Sequence, residues 1–386
     1  MKVCYFGTYR KTYKRNQIMI AGLRMAGVEV IECQASLWRG IEDRVSVAQG
    51  KWFSLDFFYR LGWAYLQLIW MYLRCPEHDV VVLGYPGQLD VFLARILTWL
   101  RRKPLVLDVL MSLHLIAVER NLDRGSPRSI DLLRRLEWAA LRVPDHLIHD
   151  TPAYVAWLGK AYGLRAECFR LVPLGAEERI FQPLPVRPPD GVLRVVYYGT
   201  FTPNHRVAYI LEAARLVRDD PGYQFDLIGE GPDLALAAAF IEEEGLQARV
   251  RLVGWLSQEE LAAHMQQADV CMGAFGSTPQ SLMTVHNKIY EGMAMRRVVV
   301  TGASPAVEAQ FVNGIDLVTC DRQNPASLVE VLERLRQNPS LAEQIARQGY
   351  EKFLTQYSTL RVGERMRQHL EEFMCGKIQK RMDKRD

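Results

Sequence analysis

Short runs of β-branched and apolar residues alternate along the chain with longer segments whose apolar positions recur every three or four residues. Residues 3–7, 29–33, 80–84, 105–109 and 146–149 are predicted as strands, and 16–26 and 89–100 as helices that cover them. Strands separated by helices build a parallel sheet, because each return to the same edge needs a crossover. At FQPLPVRPPDG, residues 181–191, four prolines and a glycine can continue neither element, and this stretch reads as a linker. A second series then begins, with strands at 195–199, 225–229, 250–254, 270–274, 298–301 and 316–319. It closes on helical segments at 325–337 and 340–356, followed by one at 360–374 and the polar tail KIQKRMDKRD. The expected division is 1–184 for the first domain and 185–357 for the second. The terminal stretch, about 358–386, lies beyond a complete second domain and is expected to cross back and brace the first.

Length agrees with two cores: 386 residues exceed the size at which one core stops growing. Apolar residues at 49% and charged residues at 24% describe an ordinary globular chain and exclude disorder as its organising feature. The seven cysteines are scattered and form neither CxxC pairs nor clusters with histidine, so neither a zinc nor a disulfide scaffold is expected, and a reducing, cytoplasmic setting is. The N-terminus reads directly as a first strand rather than as a secretory signal.

Charge is unevenly shared. Residues 1–185 hold 25 Lys+Arg against 18 Asp+Glu, a balance of +7, which leaves 23 minus 26, or −3, for the remainder. The basic half calls for an anionic partner, and no recognition-helix, zinc-finger or RNP-like motif points to nucleic acid; an anionic membrane surface is the expected one. The apolar run LGWAYLQLIWMYL, residues 61–73, is flanked by Arg60 and Arg74 and is too short to span a bilayer. It is either a helix buried against the sheet or an interfacial helix with Trp and Tyr at headgroup depth.

In open α/β sheets ligands bind beyond the carboxyl ends of the strands. Gly199, in GTFTPNHR, allows close backbone approach, and Arg206 places a cation at the entry of the next helix. Gly229 and Gly254 end the two following strands, where main chain could meet a nucleotide base. Residues 277–308 are the richest: a helix starting near Asn287 carries Lys288, Ile289 and, one turn on, Glu291. A diphosphate at that N-terminus would set its ribose near Glu291, whose carboxylate accepts hydrogen bonds from two vicinal hydroxyls. In the first half, Gly7 precedes Arg10, Lys11, Lys14 and Arg15, a loop that is either a phosphate-meeting surface or a solvated basic turn. Asp108 and His114 follow one strand, and His149-Asp150 another.

NKIYEGMAMRRVVVTG, residues 287–302, resembles the hallmark segment of family-four retaining glycosyltransferases of the GT-B fold. LVPLGAEERIFQP, YYGTF…LEAARLV and the stretch from IGEGPD to QQADV resemble their interdomain segment, second-domain opening and middle, so the likeness covers roughly 165–370. The resemblance implies two Rossmann-like domains facing across a cleft and an α/β fold throughout. It also implies transfer of a sugar from a nucleotide-diphosphate donor to an acceptor hydroxyl, with no cofactor and no metal required. The apolar and basic first half adds the expectation of an acceptor from cell-surface polysaccharide or lipid-linked glycan synthesis, with the protein peripheral on the inner face of the membrane. Arg206 and Lys288 become the diphosphate cations, His114 a bond to the donor sugar, and Gly7, Gly199, Gly229, Gly254, Asn287, Ile289 and Glu291 the donor-binding positions. Thr278-Pro279 falls where the family places loops near the transferred sugar. Two positions depart from the family: Met283 stands where the first of two glutamates is usual, and Thr200 where an arginine commonly follows the glycine. A nucleotide-sugar epimerase of the same fold and a non-catalytic nucleotide-sugar binder are the alternatives.

Overall fold

The computed structural model describes residues 1–37, 55–120, 127–183 and 190–382. Contacts divide the chain into two compact units, Met1–Pro173 with Thr359–Asp386, and Leu174–Ser358. The first change of unit thus comes ahead of the proline-rich stretch, of which residues 184–189 lie outside the described ones.

The first unit contains strands β1 (Lys2–Gly7), β2 (Glu29–Gln34), β3 (Val80–Leu83), β4 (Leu105–Asp108), β5 (His146–His149) and β6 (Phe169–Leu171), in spatial order β2-β1-β3-β4-β5-β6, every pair parallel. Five of these follow the hydrophobic pattern. The sixth, three residues long, is too short to register as a period and exists because it pairs with β5. Helices α1 (Lys14–Met25), α2 (Leu55–Arg74), α3 (Asp90–Leu100), α4 (Leu113–Glu119), α5 (Pro127–Ala140) and α6 (Pro152–Tyr162) connect the strands.

The second unit contains β7 (Leu193–Tyr198), β8 (Tyr223–Ile228), β9 (Val250–Val253), β10 (Val270–Met272), β11 (Val298–Gly302) and β12 (Val318–Cys320), all parallel in the order β12-β11-β10-β7-β8-β9. Its helices are α7 (Val207–Leu216), α8 (Leu234–Glu243), α9 (Gln258–Gln266), α10 (Pro279–Met283), α11 (Asn287–Ala294), α12 (Pro305–Glu308), α13 (Pro325–Gln337) and α14 (Pro339–Lys352). Chain direction across the sheet reverses between β7 and β10, and that reversal opens a crevice at the strand ends.

The terminal helix α15 (Thr359–Met382) belongs to the first unit, so the return predicted for the chain end takes place, and the helix runs through most of the polar tail. It packs on α1 where Gly22 meets Gly363. A Cβ on either glycine would collide with the other's backbone, so the two axes approach closely only because both are glycine. Val362, Met366 and Leu370 then join Val3, Tyr5, Met19 and Leu23 in one core.

Two features of the first unit depart from expectation. Arg15 is fully buried and grips Asp108 through Nε (2.7 Å) and Nη2 (3.0 Å), while Nη1 donates to the carbonyls of Val172 and Pro173. Neither Arg15 nor Asp108 is therefore available to a ligand; they tie α1, β4 and the end of the unit together. Cys4, Cys33 and Cys75, far apart in sequence, bring their sulfurs within 4.8 Å of one another in the core. Hydrogen bonding from Cys4 is the largest influence drawing the Cys75 thiol down to about 6, with His78 assisting. Parallel register puts Cys4 and Cys33 on one face of the sheet, and the turn after α2 brings Cys75 to them, which sequence spacing does not reveal.

Candidate functional site

The loops that leave β7 and β10 meet at the crevice and are bound to each other. Thr278 caps α10 by accepting from the Ser281 amide at 3.2 Å, and Ser281 Oγ donates to the Asn204 carbonyl at 2.8 Å. Gly276 lies so close to the Asn204 carbonyl that a side chain there would overlap it. The Thr278-Pro279 stretch thus shapes the crevice by fixing the β7 loop.

Gly199 takes φ +130, which disfavours any L side chain, and a Cβ placed on it would come 2.9 Å from Lys288 Nζ. A Cβ on Gly229 would collide with the Gly199 carbonyl, so the second glycine is required by its contact with the first. Lys288, at the first turn of α11, is buried, and its Nζ stands 3.4 Å from both ring nitrogens of His205 and 5.1 Å from the centre of the Tyr197 ring. His205 lies 2.6 Å from the Thr200 carbonyl through Nδ1, which assigns the proton to Nδ1 and leaves Nε2 toward the ammonium. Burial, and then the charge of Lys288, hold His205 down at about 3.

His286 stacks edge-on to His205 with ring centres 5.1 Å apart, and its Nε2 is buried with no hydrogen-bond partner among the described residues. Burial, followed by His205, Lys288 and Arg322, pushes it well below the ordinary histidine range. Arg322, after β12, is buried too. Its guanidinium donates to the carbonyls of Gly276, Gly302 (2.9 Å) and Ala303 (2.6 Å) and to Ser281 Oγ (3.1 Å), all of them neutral. Burial lowers it to about 10. Four groups that carry or accept positive charge therefore converge on one crevice, where Lys288 disfavours protonation of His205, and His205, Lys288 and Arg322 together disfavour that of His286.

The remaining predicted positions divide. Glu291 lies one turn beyond Lys288 on α11, nearly fully buried, and together with burial it raises the Tyr198 phenol well above its usual value. Asn287 opens α11, and its N-cap residue, His286, makes no side-chain capping bond. Ile289 is a core residue whose amide donates to the His286 carbonyl, so neither its side chain nor its N–H is offered to a ligand. Arg206 adopts φ +51 and donates Nη1 to the Arg322 carbonyl at 3.0 Å, bracing β12. Gly254 follows the edge strand β9, is exposed, and has open space around it, apart from the Lys288 cluster. Met283 ends α10, half-buried.

In the first unit, Gly7 also follows a strand at a reversal, between β1 and β3, but Asp90 fills its loop. The Asp90 carboxylate accepts from Thr8 N at 2.6 Å and Thr8 Oγ1 at 2.9 Å, and burial raises it to about 6. His114 is half-buried on α4 with its amide toward Glu137. His149 is enclosed beside Asp150, at 2.9 Å, and against the Tyr154 ring.

His205, His286 and Arg322 escaped prediction. The only signal for the first was its place in PNHR directly after the glycine loop. For the other two, residing at a strand end or just before α11 was the sole cue.

Residues 193–338 match the family described as glycosyl transferases group 1. The chain is 25% identical over 173 residues to an α-D-kanosaminyltransferase of Streptomyces kanamyceticus, across 45% of this chain and 44% of that protein, so it spans under half the length of that curated relative. Anabaena HepE, solved in complex with UDP, superposes with a TM-score of 0.67 at 13% identity, covering 96% of this chain and all of that one. Sucrose-phosphate synthase of Thermosynechococcus elongatus gives 0.70 at 15%, covering 97% and 99%. The likeness to these structures establishes the fold as GT-B.

Proposed function

Residues 193–338 being a group 1 glycosyltransferase domain, we propose that the protein transfers a sugar from a nucleoside-diphosphate sugar to an acceptor hydroxyl. The observation that carries this reading is the crevice of Lys288, His205, His286 and Arg322 around Gly199, which collects positive potential where an open α/β sheet takes its ligand. A diphosphate there would gain charge-assisted hydrogen bonds from Lys288, with the first turn of α11 behind it. Glu291, one turn further, would accept from the ribose hydroxyls.

As the glycosidic bond to the diphosphate breaks, negative charge grows on the departing oxygen. Lys288, already desolvated, stabilises that charge without waiting for water to reorganise. On this reading the acceptor hydroxyl attacks from the leaving-group side, the configuration at the anomeric carbon is retained, and the departing phosphate takes the hydroxyl proton. The acceptor is a glycan or a lipid-linked saccharide, and the protein works peripherally at the inner face of a membrane.

The reading is tested by calorimetry of the wild type, Lys288→Met and Glu291→Gln against UDP-, GDP-, ADP- and TDP-sugars. Saturable binding of one nucleotide is expected, weaker by roughly 10- to 100-fold in Lys288→Met, the range for a lost charged hydrogen bond. If the wild type binds none of the four, the donor site is wrong. Product formation that needs acceptor distinguishes transfer from epimerisation, which needs none, and from binding alone; the anomeric coupling of the product reads retention.

A further inference from the structure

Helix α2 has two apolar faces and uses one. Phe57, Ala64, Leu68 and Tyr72 are buried against the sheet. Tyr59, Trp63, Leu66, Trp70 and Leu73 recur at intervals of four, three, four and three on another face, and every one of them is 57% or more exposed. A helix covering a sheet in water ordinarily turns polar side chains outward, so this stripe is surplus to the fold.

The patch continues onto α3. Arg101 donates to the carbonyls of Leu73 (3.1 Å) and Cys75 (2.9 Å), which brings the ends of the two helices together, and Ile96, Trp99 and Leu100 extend the apolar surface from there. Between the tryptophans lies a cavity of about 440 Å3 lined by Trp63, Leu66, Trp70 and Met71 together with Gln34 and Gln67. Cations sit at its margin: the Arg74 guanidinium lies 4.0 Å from the centre of the Trp70 ring, and Arg102 is exposed at the end of α3.

We propose that this α2–α3 face docks the protein on an anionic phospholipid bilayer, with Trp63, Trp70 and Trp99 at headgroup depth and Arg74 and Arg102 on lipid phosphates. Three observations select lipid. Exposed indoles beside aliphatic side chains suit the boundary between headgroups and acyl chains. The charge balance of residues 1–185, 25 minus 18, attracts an anionic surface. A second copy of the same face, paired about a two-fold axis, would bring like cations together. No described helix is long and apolar enough to cross a membrane, so α2, about 30 Å long at 1.5 Å per residue, would lie in the interface plane. This deepens the peripheral location proposed above and does not rest on the donor chemistry.

The experiment is co-sedimentation of the full chain with vesicles of phosphatidylglycerol and phosphatidylcholine, and with phosphatidylcholine alone, at low and high salt. Binding is expected on the anionic vesicles, weakening as salt rises, with a blue shift of tryptophan emission and quenching by brominated acyl chains. Trp63→Gln/Trp70→Gln changes exposed positions only and is expected to cut vesicle affinity roughly tenfold or more, the scale of removing two buried indoles, while nucleotide-sugar affinity and melting temperature stay unchanged. Absence of vesicle binding by the wild type, or equal binding by the variant, overturns the proposal. So does a wild-type dimer that the double substitution converts to monomer with no vesicle affinity in either form. Loss of nucleotide binding in the wild type would count against the donor site and leave the docking result standing.

Discussion

The two units place a glycine loop at the same point of the same kind of sheet and finish it in opposite ways. In the first, the amide after Gly7 already holds an anion, the Asp90 carboxylate, and the nearby cation Arg15 already holds Asp108. In the second, Gly199 looks onto Lys288, with His205, His286 and Arg322 around it, and Arg322 donates to three carbonyls and the Ser281 hydroxyl, all neutral. A βα turn at a sheet reversal is therefore only a frame. In the first unit a carboxylate of the chain's own fills it, and on the proposed function a diphosphate would fill it in the second.

The contrast breaks most forcefully at Arg15. Arg15→Ala leaves Asp108 buried without its bidentate partner, and urea unfolding should show a loss of about 3–5 kcal/mol. Nucleotide-sugar affinity should not move, because the second unit's cluster does not include this pair. A change in affinity comparable to that of Lys288→Met would show that the ion pair serves a ligand after all.

The next effect is smaller and has a sign. Asp90 titrates higher in the folded protein, at about 6, than the ordinary 3.8, so between these values the folded state binds the extra proton. Its contribution to stability is fully present below pH 3.8 and is lost as the pH rises through 6, up to about 3 kcal/mol at 1.36 kcal/mol per unit. Asp90→Asn keeps an acceptor for Thr8 and should flatten that part of the stability profile of the first unit. Calorimetry from pH 4 to 7 checks it, and an unchanged slope would mean another group titrates there.

The smallest effect sharpens the second unit. Burial outweighs Lys288 in holding His205 at about 3, so in Lys288→Met the histidine should titrate higher than 3 and still below its ordinary 6.5. Histidine proton NMR reads this directly. Because the folded value lies below the unfolded one, His205 in the wild type contributes stability above pH 6.5 that is lost as pH falls toward 3, opposite in sign to Asp90.

Hydrophobic periodicity carried eleven of the twelve strands and the return of the terminal helix, since each is written in a contiguous stretch. It also put Lys288 and Glu291 about one turn apart on one helix, because three residues of α-helix make nearly one turn. Ile289 and Gly254 were misplaced for a related reason: the same local pattern names a helix or a strand end without saying which side chain points inward or which strand lies at the edge.

By itself, then, the sequence determined two α/β series and their strand-end loops, and it offered Lys288 as a candidate cation for a phosphate, all from local spacing and residue type. Only the tertiary structure decided which charges are tied in a buried pair, as in Arg15 with Asp108, and which polar groups are gathered in one crevice, as in Lys288 with His205, His286 and Arg322. It likewise gathered three distant cysteines and left the second apolar face of α2 uncovered. Those outcomes depend on which strands become neighbours and which helix faces meet the sheet, and pairing across tens of residues leaves no trace in the spacing of the residues that pair.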